Sequence, residues 1–306
     1  MVCPKKCSFC FSKKTKDEMS LEDFKKYVDM GVEKLDMSSV GFVGGEPTVH
    51  PDLTEMMKYV KHDKKIKVGM FTNLLGIEKN IESLVELIKE PDTKLKPSVI
   101  WNNSEFYEQF TEKQQKITLA RAKKIYEAEP ESILYSLTYR PNVDVGYLIE
   151  SAKITGIRKL RFAFNVSEMH ELIKPNRLEE LLIQLDRLRK EKFRIFGDLC
   201  GFIPPPPFIN PNKYLQIMSY FTHSNRCDGA AIDLLPDGRI IPCLPYFDEA
   251  KELYLNDVNN FAHLNELMKH YYGPQAEKTH YKKGLCPAHY QREKPTQQQV
   301  VNFFKS

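Results

Sequence analysis

The chain has 306 residues, and its 45 basic and 41 acidic side chains leave a net charge of only +4. That balance excludes a chain built to bind nucleic acid by charge, and a hydrophobic content of 42% excludes a disordered one. No apolar run approaches the ~18–20 residues of a membrane span, and the first residues are not a charged-then-apolar leader. A cytoplasmic protein is expected, with neither membrane nor nucleic acid as partner.

In "SLEDFKKYVDMG", Leu21, Phe24 and Val28 share one helical face, with Ser20 as cap and Gly31 as stop. The short strand "SSVGFVGG" follows, then a helix striped with Leu53, Met56, Met57 and Val60, the strand "IKVGMFTN" and the helix "IESLVELIKE". The alternation continues through "SVIWNN", the helix around "ITLARAKKIYEA", "SILYSLTY", the helix in "VGYLIESAKITG" and "KLRFAFN". It closes with the periodic "RLEELLIQLDRLRK" and the strand "FRIFGDL". Strands spaced by helices of this length predict a parallel sheet with crossover helices. Six such units predict an α/β fold, a partial (β/α)6 TIM-like barrel over residues 1–200, with its site at the C-terminal strand ends.

The texture then changes. "GFIPPPPFINP" cannot continue a helix or a central strand and reads as a stiff linker. Beyond it, "AAIDLLPDGRIIPC" predicts a two-stranded hairpin around Pro-Asp-Gly, followed by a helix near "LNELMKHYY" and a cysteine-bearing tail. Residues 201–306 are therefore expected to form a small second domain of β-hairpin and helix, too thin in core to stand without help.

The seven cysteines are an odd number, which fits poorly with a disulfide framework and better with metal ligation. Cys3, Cys7 and Cys10 form C-x3-C-x2-C, and thiolate-only ligation suits an iron–sulfur cluster or zinc. Structural zinc wants four closed ligands, and the next histidine is only at His50. Three thiolates on one loop leave one metal position open.

Here "CPKKCSFC" resembles the signature of the radical S-adenosylmethionine (radical SAM) enzymes, and "GGEP" (Gly44 to Pro47) resembles their second hallmark. It stands after a predicted strand and before a helix, as in the family, and Thr72–Asn73 at the end of the next strand is similar as well. The resemblance covers about residues 1–200. It implies that Cys3, Cys7 and Cys10 bind three irons of a [4Fe–4S] cluster whose fourth iron takes S-adenosylmethionine. Gly44, Gly45 and Glu46 would hold the methionine amino group: glycines let backbone carbonyls approach, and a carboxylate accepts from an ammonium. The backbone at Phe9 would meet the adenine; Asn102 or Asn103, with Ser136 or Thr138, would contact ribose and carboxylate. Family members carry a strand directly before the first cysteine, whereas only Met1 and Val2 precede Cys3 here, so the first strand is very short or the chain starts late relative to its relatives.

Four cysteines remain. Cys227 through Gly238 to Cys243 has the form C-x10-G-x4-C and resembles the opening of the SPASM/twitch extension, which holds auxiliary iron–sulfur clusters; Cys286 would close the site. The further cysteines of a full SPASM domain are missing, which implies one auxiliary [4Fe–4S] cluster. Cys200, at the end of the last barrel strand, would be its fourth ligand, or else a catalytic hydrogen-atom donor or an inert thiol. His289 reads as a surface or hydrogen-bonding residue rather than a ligand.

The activity implied is reductive cleavage of S-adenosylmethionine to a 5′-deoxyadenosyl radical, which takes hydrogen from a substrate. That substrate is expected to be a ribosomally made peptide; the alternatives are dehydrogenation of a small molecule such as an aminocyclitol and, in another class, a non-catalytic iron–sulfur electron carrier. A reducing partner such as flavodoxin or ferredoxin is implied.

Overall fold

The computed structural model describes residues 18–92, 94–102, 110–140, 143–164, 175–198, 210–225, 232–242 and 250–272. Seven parallel strands form one sheet in sequential order: β1 (Ser39–Phe42), β2 (Lys67–Thr72), β3 (Ser98–Asn102), β4 (Ile133–Tyr139), β5 (Lys159–Phe164), β6 (Arg194–Asp198) and β7 (His223–Asn225). Between them run α1 (Leu21–Leu35, ahead of β1), α2 (Leu53–Lys58), α3 (Glu78–Lys89), α4 (Glu112–Ala128), α5 (Gly146–Thr155), α6 (Pro175–Lys190) and α7 (Pro211–Met218). A parallel strand order that never reverses puts the helices on one face, given the right-handed crossover that is the rule for such units. This is the α/β partial barrel expected, with six strands where the sequence places them and a seventh beyond.

The helix-facing residues confirm that arrangement. Val68 and Met70 of β2, Val99 and Trp101 of β3, and Ile133, Tyr135 and Leu137 of β4 are buried in one core with α3, α4 and α5. On the other face Phe71, Ile100, Leu134, Arg161 and Phe196 are only half-buried. Among the described residues, that face is the more open one. No helix among the described residues is long and apolar enough to cross a membrane.

Two local readings change. Ser20 caps α1 as expected, its hydroxyl accepting from Asp23 N at 3.0 Å. Gly31, however, does not stop the helix, which runs to Leu35 and ends on Asp36 at φ +50. The missing side chain makes room for Met37, whose Cε would lie 3.0 Å from an added Cβ. The second change is α7 and β7, which extend the sheet within the stretch expected to form the second domain. The signal was present: Asn210 accepts from Asn212 N at 2.9 Å, and Pro211 occupies the first helical turn, where its missing N–H costs nothing. The proline run at 204–207 lies outside the described residues.

The expected hairpin is β8 (Asp233–Leu234) against β9 (Ile240–Ile241), antiparallel, turning through Pro236, Asp237 and Gly238. With α8 (Phe261–Tyr272) it forms a second small core of Leu235, Ile240, Ile241, Leu253, Leu255, Val258, Leu264, Met268 and Tyr272. The help this core needs comes from α1: Tyr27, Met30 and Leu35 pack against it, and Lys34 Nζ donates to Val258 O at 2.7 Å. Gly238 sits at φ +86, and a Cβ there would meet the Tyr27 hydroxyl at 2.2 Å. Gly238→Ala should therefore cost about 1–3 kcal/mol through overpacking alone, read as lost hydrogen-exchange protection in residues 233–272. Tyr27→Phe in the same chain should restore part of it by removing the closest atom, and no recovery would show that backbone strain alone sets the cost.

Candidate active site

β1 delivers the chain to a turn at the C-terminal end of the sheet. Gly44 takes φ +114, a conformation closed to side chains, so glycine is needed there for the chain to double back. Gly45 is half-buried, and Glu46 then caps a single 3-10 turn, Pro47–Val49.

Glu46 is 3% exposed, and four donors converge on its carboxylate. Oε1 accepts from Thr48 N at 3.2 Å, Thr48 Oγ1 at 2.5 Å and Thr72 Oγ1 at 2.5 Å; Oε2 accepts from Asn73 N at 2.7 Å. Burial pushes the Glu46 carboxyl above the usual carboxylate range, and the donors of Asn73, Thr48 and Thr72 pull against it. No Lys, Arg or His among the described residues pairs with Glu46. A buried carboxylate without a counter-ion is costly, and Oε2, with two lone pairs and one donor at Asn73 N, retains room for another donor.

The loop after β2 is shaped around this carboxylate. Thr72 Oγ1 also accepts from Leu74 N at 2.9 Å, and Asn73 Oδ1 accepts from Leu75 N at 2.8 Å. Leu74 is fully buried at φ +61, an uncommon conformation for a branched residue, stored here where the backbone turns to aim Asn73 N at Glu46. Arg121 of α4 clasps the same loop, donating to Leu74 O at 2.7 Å and Gly76 O at 3.1 Å. At Gly76 a Cβ would meet Thr48 backbone atoms at 2.2 Å, so the two loops touch main chain to main chain.

His50 closes the turn. Its Nδ1 accepts from Asp52 N at 3.1 Å, which leaves Nε2 to donate to Met19 O at 3.0 Å. Both ring nitrogens are engaged. The end of the "GGEP" segment is thereby tied to the residues entering α1.

Across the open face, strand register aligns Asn102, Ser136, Arg161, Phe196 and His223 in one row. Ser136 is 2% exposed and its Oγ accepts from Arg161 Nη1 at 3.1 Å; the Arg161 guanidinium also stands 5.0 Å over the Phe71 ring. Thr138 follows, half-buried, toward the C-terminal end of β4. The structure thus brings Glu46 together with Thr48, Thr72 and Asn73, and Ser136 together with Arg161. Thr48 and Arg161 were missed by sequence reasoning. Arg161 had a signal: in "KLRFAFN" it stands on the face opposite Leu160, Phe162 and Phe164. The expected sites at Cys3, Cys7, Phe9, Cys10, Asn103, Cys200, Cys227, Cys243 and Cys286 lie outside the described residues.

Comparison with known proteins agrees with this geometry. Residues 1–99 match the family model of the Radical SAM superfamily. The fold is similar to the crystal structure of Streptococcus suis SuiB bound to precursor peptide SuiA: TM-score 0.58 and 17% identity, covering 85% of this chain and 61% of that one. It is similar also to SuiB bound to S-adenosylmethionine, with TM-score 0.56 and 16% identity over 87% of this chain and 65% of that one. The chain spans less than two thirds of the length of these structures. The buried glutamate and its glycine turn fall within the residues that match the Radical SAM superfamily model.

Proposed function

We propose that the protein is a radical SAM enzyme acting on a ribosomally made peptide. The observation that carries this reading is Glu46, a buried carboxylate with converging donors and no cationic partner among the described residues. The amino group of S-adenosylmethionine is the cation it asks for, with Gly44 and Gly45 offering carbonyls beside it. Ser136 and Arg161, with Asn102 and Thr138 nearby in the sheet, take the ribose and carboxylate, a guanidinium being suited to the latter. The donor set of Cys3, Cys7 and Cys10, three thiolates with no fourth Cys or His close by in sequence, fits a [4Fe–4S] cluster with one open iron. When bound, that cluster supplies the electron that cleaves S-adenosylmethionine and so generates the radical that takes hydrogen from the substrate.

The protein's own part is orientation and exclusion of quenchers. Glu46 fixes the methionine end, the open face holds the substrate, and the helix-side core keeps the strands in register. The peptide reading is supported by the likeness to SuiB, which has been crystallised with a precursor peptide. Cys227, Cys243, Cys286 and Cys200 hold one auxiliary cluster in this reading. The test is anaerobic reconstitution followed by reduction. About eight irons per chain, as two four-iron clusters require, and formation of 5′-deoxyadenosine are expected, with deuterium moving into that product from a labelled peptide. Zinc in place of iron, or no 5′-deoxyadenosine, would refute it.

A further inference from the structure

Asn80, on the first turn of α3, is 1% exposed and belongs to none of the expected site residues. Its Nδ2 donates to Thr48 O at 3.1 Å and to His50 O at 2.8 Å, and its Oδ1 accepts from Thr54 Oγ1 at 3.1 Å. The amide can face only one way, because both carbonyls can only accept. Thr48 O also takes Ile77 N at 2.8 Å, so one peptide of the turn is pinned from α3 and from the loop before it. From that pinned residue, Thr48 N and Oγ1 reach back to Glu46 Oε1.

We propose that Asn80 is the positioning residue for the Glu46 carboxylate, and through it for the amino group of S-adenosylmethionine; the second half rests on the function proposed above. The 3-10 turn carries only two backbone hydrogen bonds of its own, Val49 N to Glu46 O at 3.1 Å and His50 N to Pro47 O at 3.0 Å. A turn that short does not hold its shape unaided. Without the Asn80 amide the Thr48 and His50 carbonyls lose a buried donor, and the turn relaxes toward other partners. Thr48 then withdraws from Oε1, and the carboxylate loses two of its four donors. Thr54 acts one step further out: its hydroxyl donates to Oδ1 and holds the amide in that orientation.

The experiment compares Asn80→Ala, Thr54→Val and Leu185→Ala, the last a core truncation on α6 that lowers stability away from the turn. In reconstituted holoenzyme, Asn80→Ala should raise the KM for S-adenosylmethionine at least about tenfold, since small misplacements of a binding group are felt strongly. Thr54→Val should raise it less, and Leu185→Ala not at all despite a lower Tm. Independently of any ligand, hydrogen exchange at the Thr48 and Asn73 amides should quicken in Asn80→Ala and stay slow in Leu185→Ala. Unchanged exchange and KM in both Asn80→Ala and Thr54→Val would overturn the proposal, as would an equal KM rise in Leu185→Ala. If the wild-type protein itself failed to bind S-adenosylmethionine, the functional reading would fail while the exchange data still judged Asn80. Should Asn80→Ala not fold, Thr54→Val decides by the same two readouts.

Discussion

Glu46→Gln should weaken S-adenosylmethionine binding by at least about a hundredfold, because removing one partner of a buried ion pair costs about 3–5 kcal/mol. The substitution keeps the shape but fails twice. It removes the negative charge that answers the ammonium, and it sets an amide NH2 where Oε2 accepts from Asn73 N at 2.7 Å, so two donors face each other. The pH dependence carries the signature. Burial raises the Glu46 carboxyl above the ordinary range, so in the unliganded protein it takes up a proton more readily than a free glutamate. A raised carboxyl withdraws stability as pH rises, because the folded state must then bury a charge; the bound ammonium relieves that cost. Affinity should thus climb as pH rises through the raised pKa, then fall where the ligand's own amino group loses its proton, at about 8. Glu46→Gln should abolish the rising limb and keep the falling one. Wild-type affinity in Glu46→Gln would remove the observation on which the proposed function stands.

Six strands and their helices were legible in the sequence because each buries one face, and that requirement writes itself as periodicity. β4 shows this best, with Ile133, Tyr135, Leu137 and Tyr139 all buried toward the helices. Seventh-strand residues His223–Asn225 carry no such pattern, being a three-residue strand whose place is given by register with β6. Gly31 misled because a glycine reads as a stop, while its use here is close packing with Met37.

The site was legible in part for a similar reason. A glycine turn and a glutamate stand adjacent in the chain, so their chemistry is local. Thr72 and Asn73 were visible as a strand end, but their aim at Glu46 spans 26 and 27 positions and depends on β1 pairing with β2 in one register. Asn80 and Arg161 are further removed still. A buried asparagine early in a helix looks like a local capping residue, and only the fold reveals that both its donors leave the helix.

The cysteines give the second large effect. Replacing Cys3, Cys7 and Cys10 together by Ala should abolish 5′-deoxyadenosine formation completely while leaving about half of the iron, the share of one four-iron cluster in two. In the proposed reading the half that stays would belong to the second set, of which Cys227 and Cys243 flank the β8–β9 hairpin in sequence. The β8–β9 hairpin belongs to a small core of its own, against which Tyr27, Met30 and Leu35 of α1 pack and to which Lys34 donates at Val258 O. Replacing Cys227 and Cys243 should accordingly remove the other half of the iron and spare S-adenosylmethionine binding at Glu46. Iron lost entirely in the first variant would mean that the chain holds one cluster and that the C-terminal cysteines serve another purpose. Iron retained in full would mean that the N-terminal three are not ligands. Either result is read directly from iron content and the cluster spectrum, before any substrate is known, which makes this the measurement that separates a two-cluster enzyme from every simpler reading of seven cysteines.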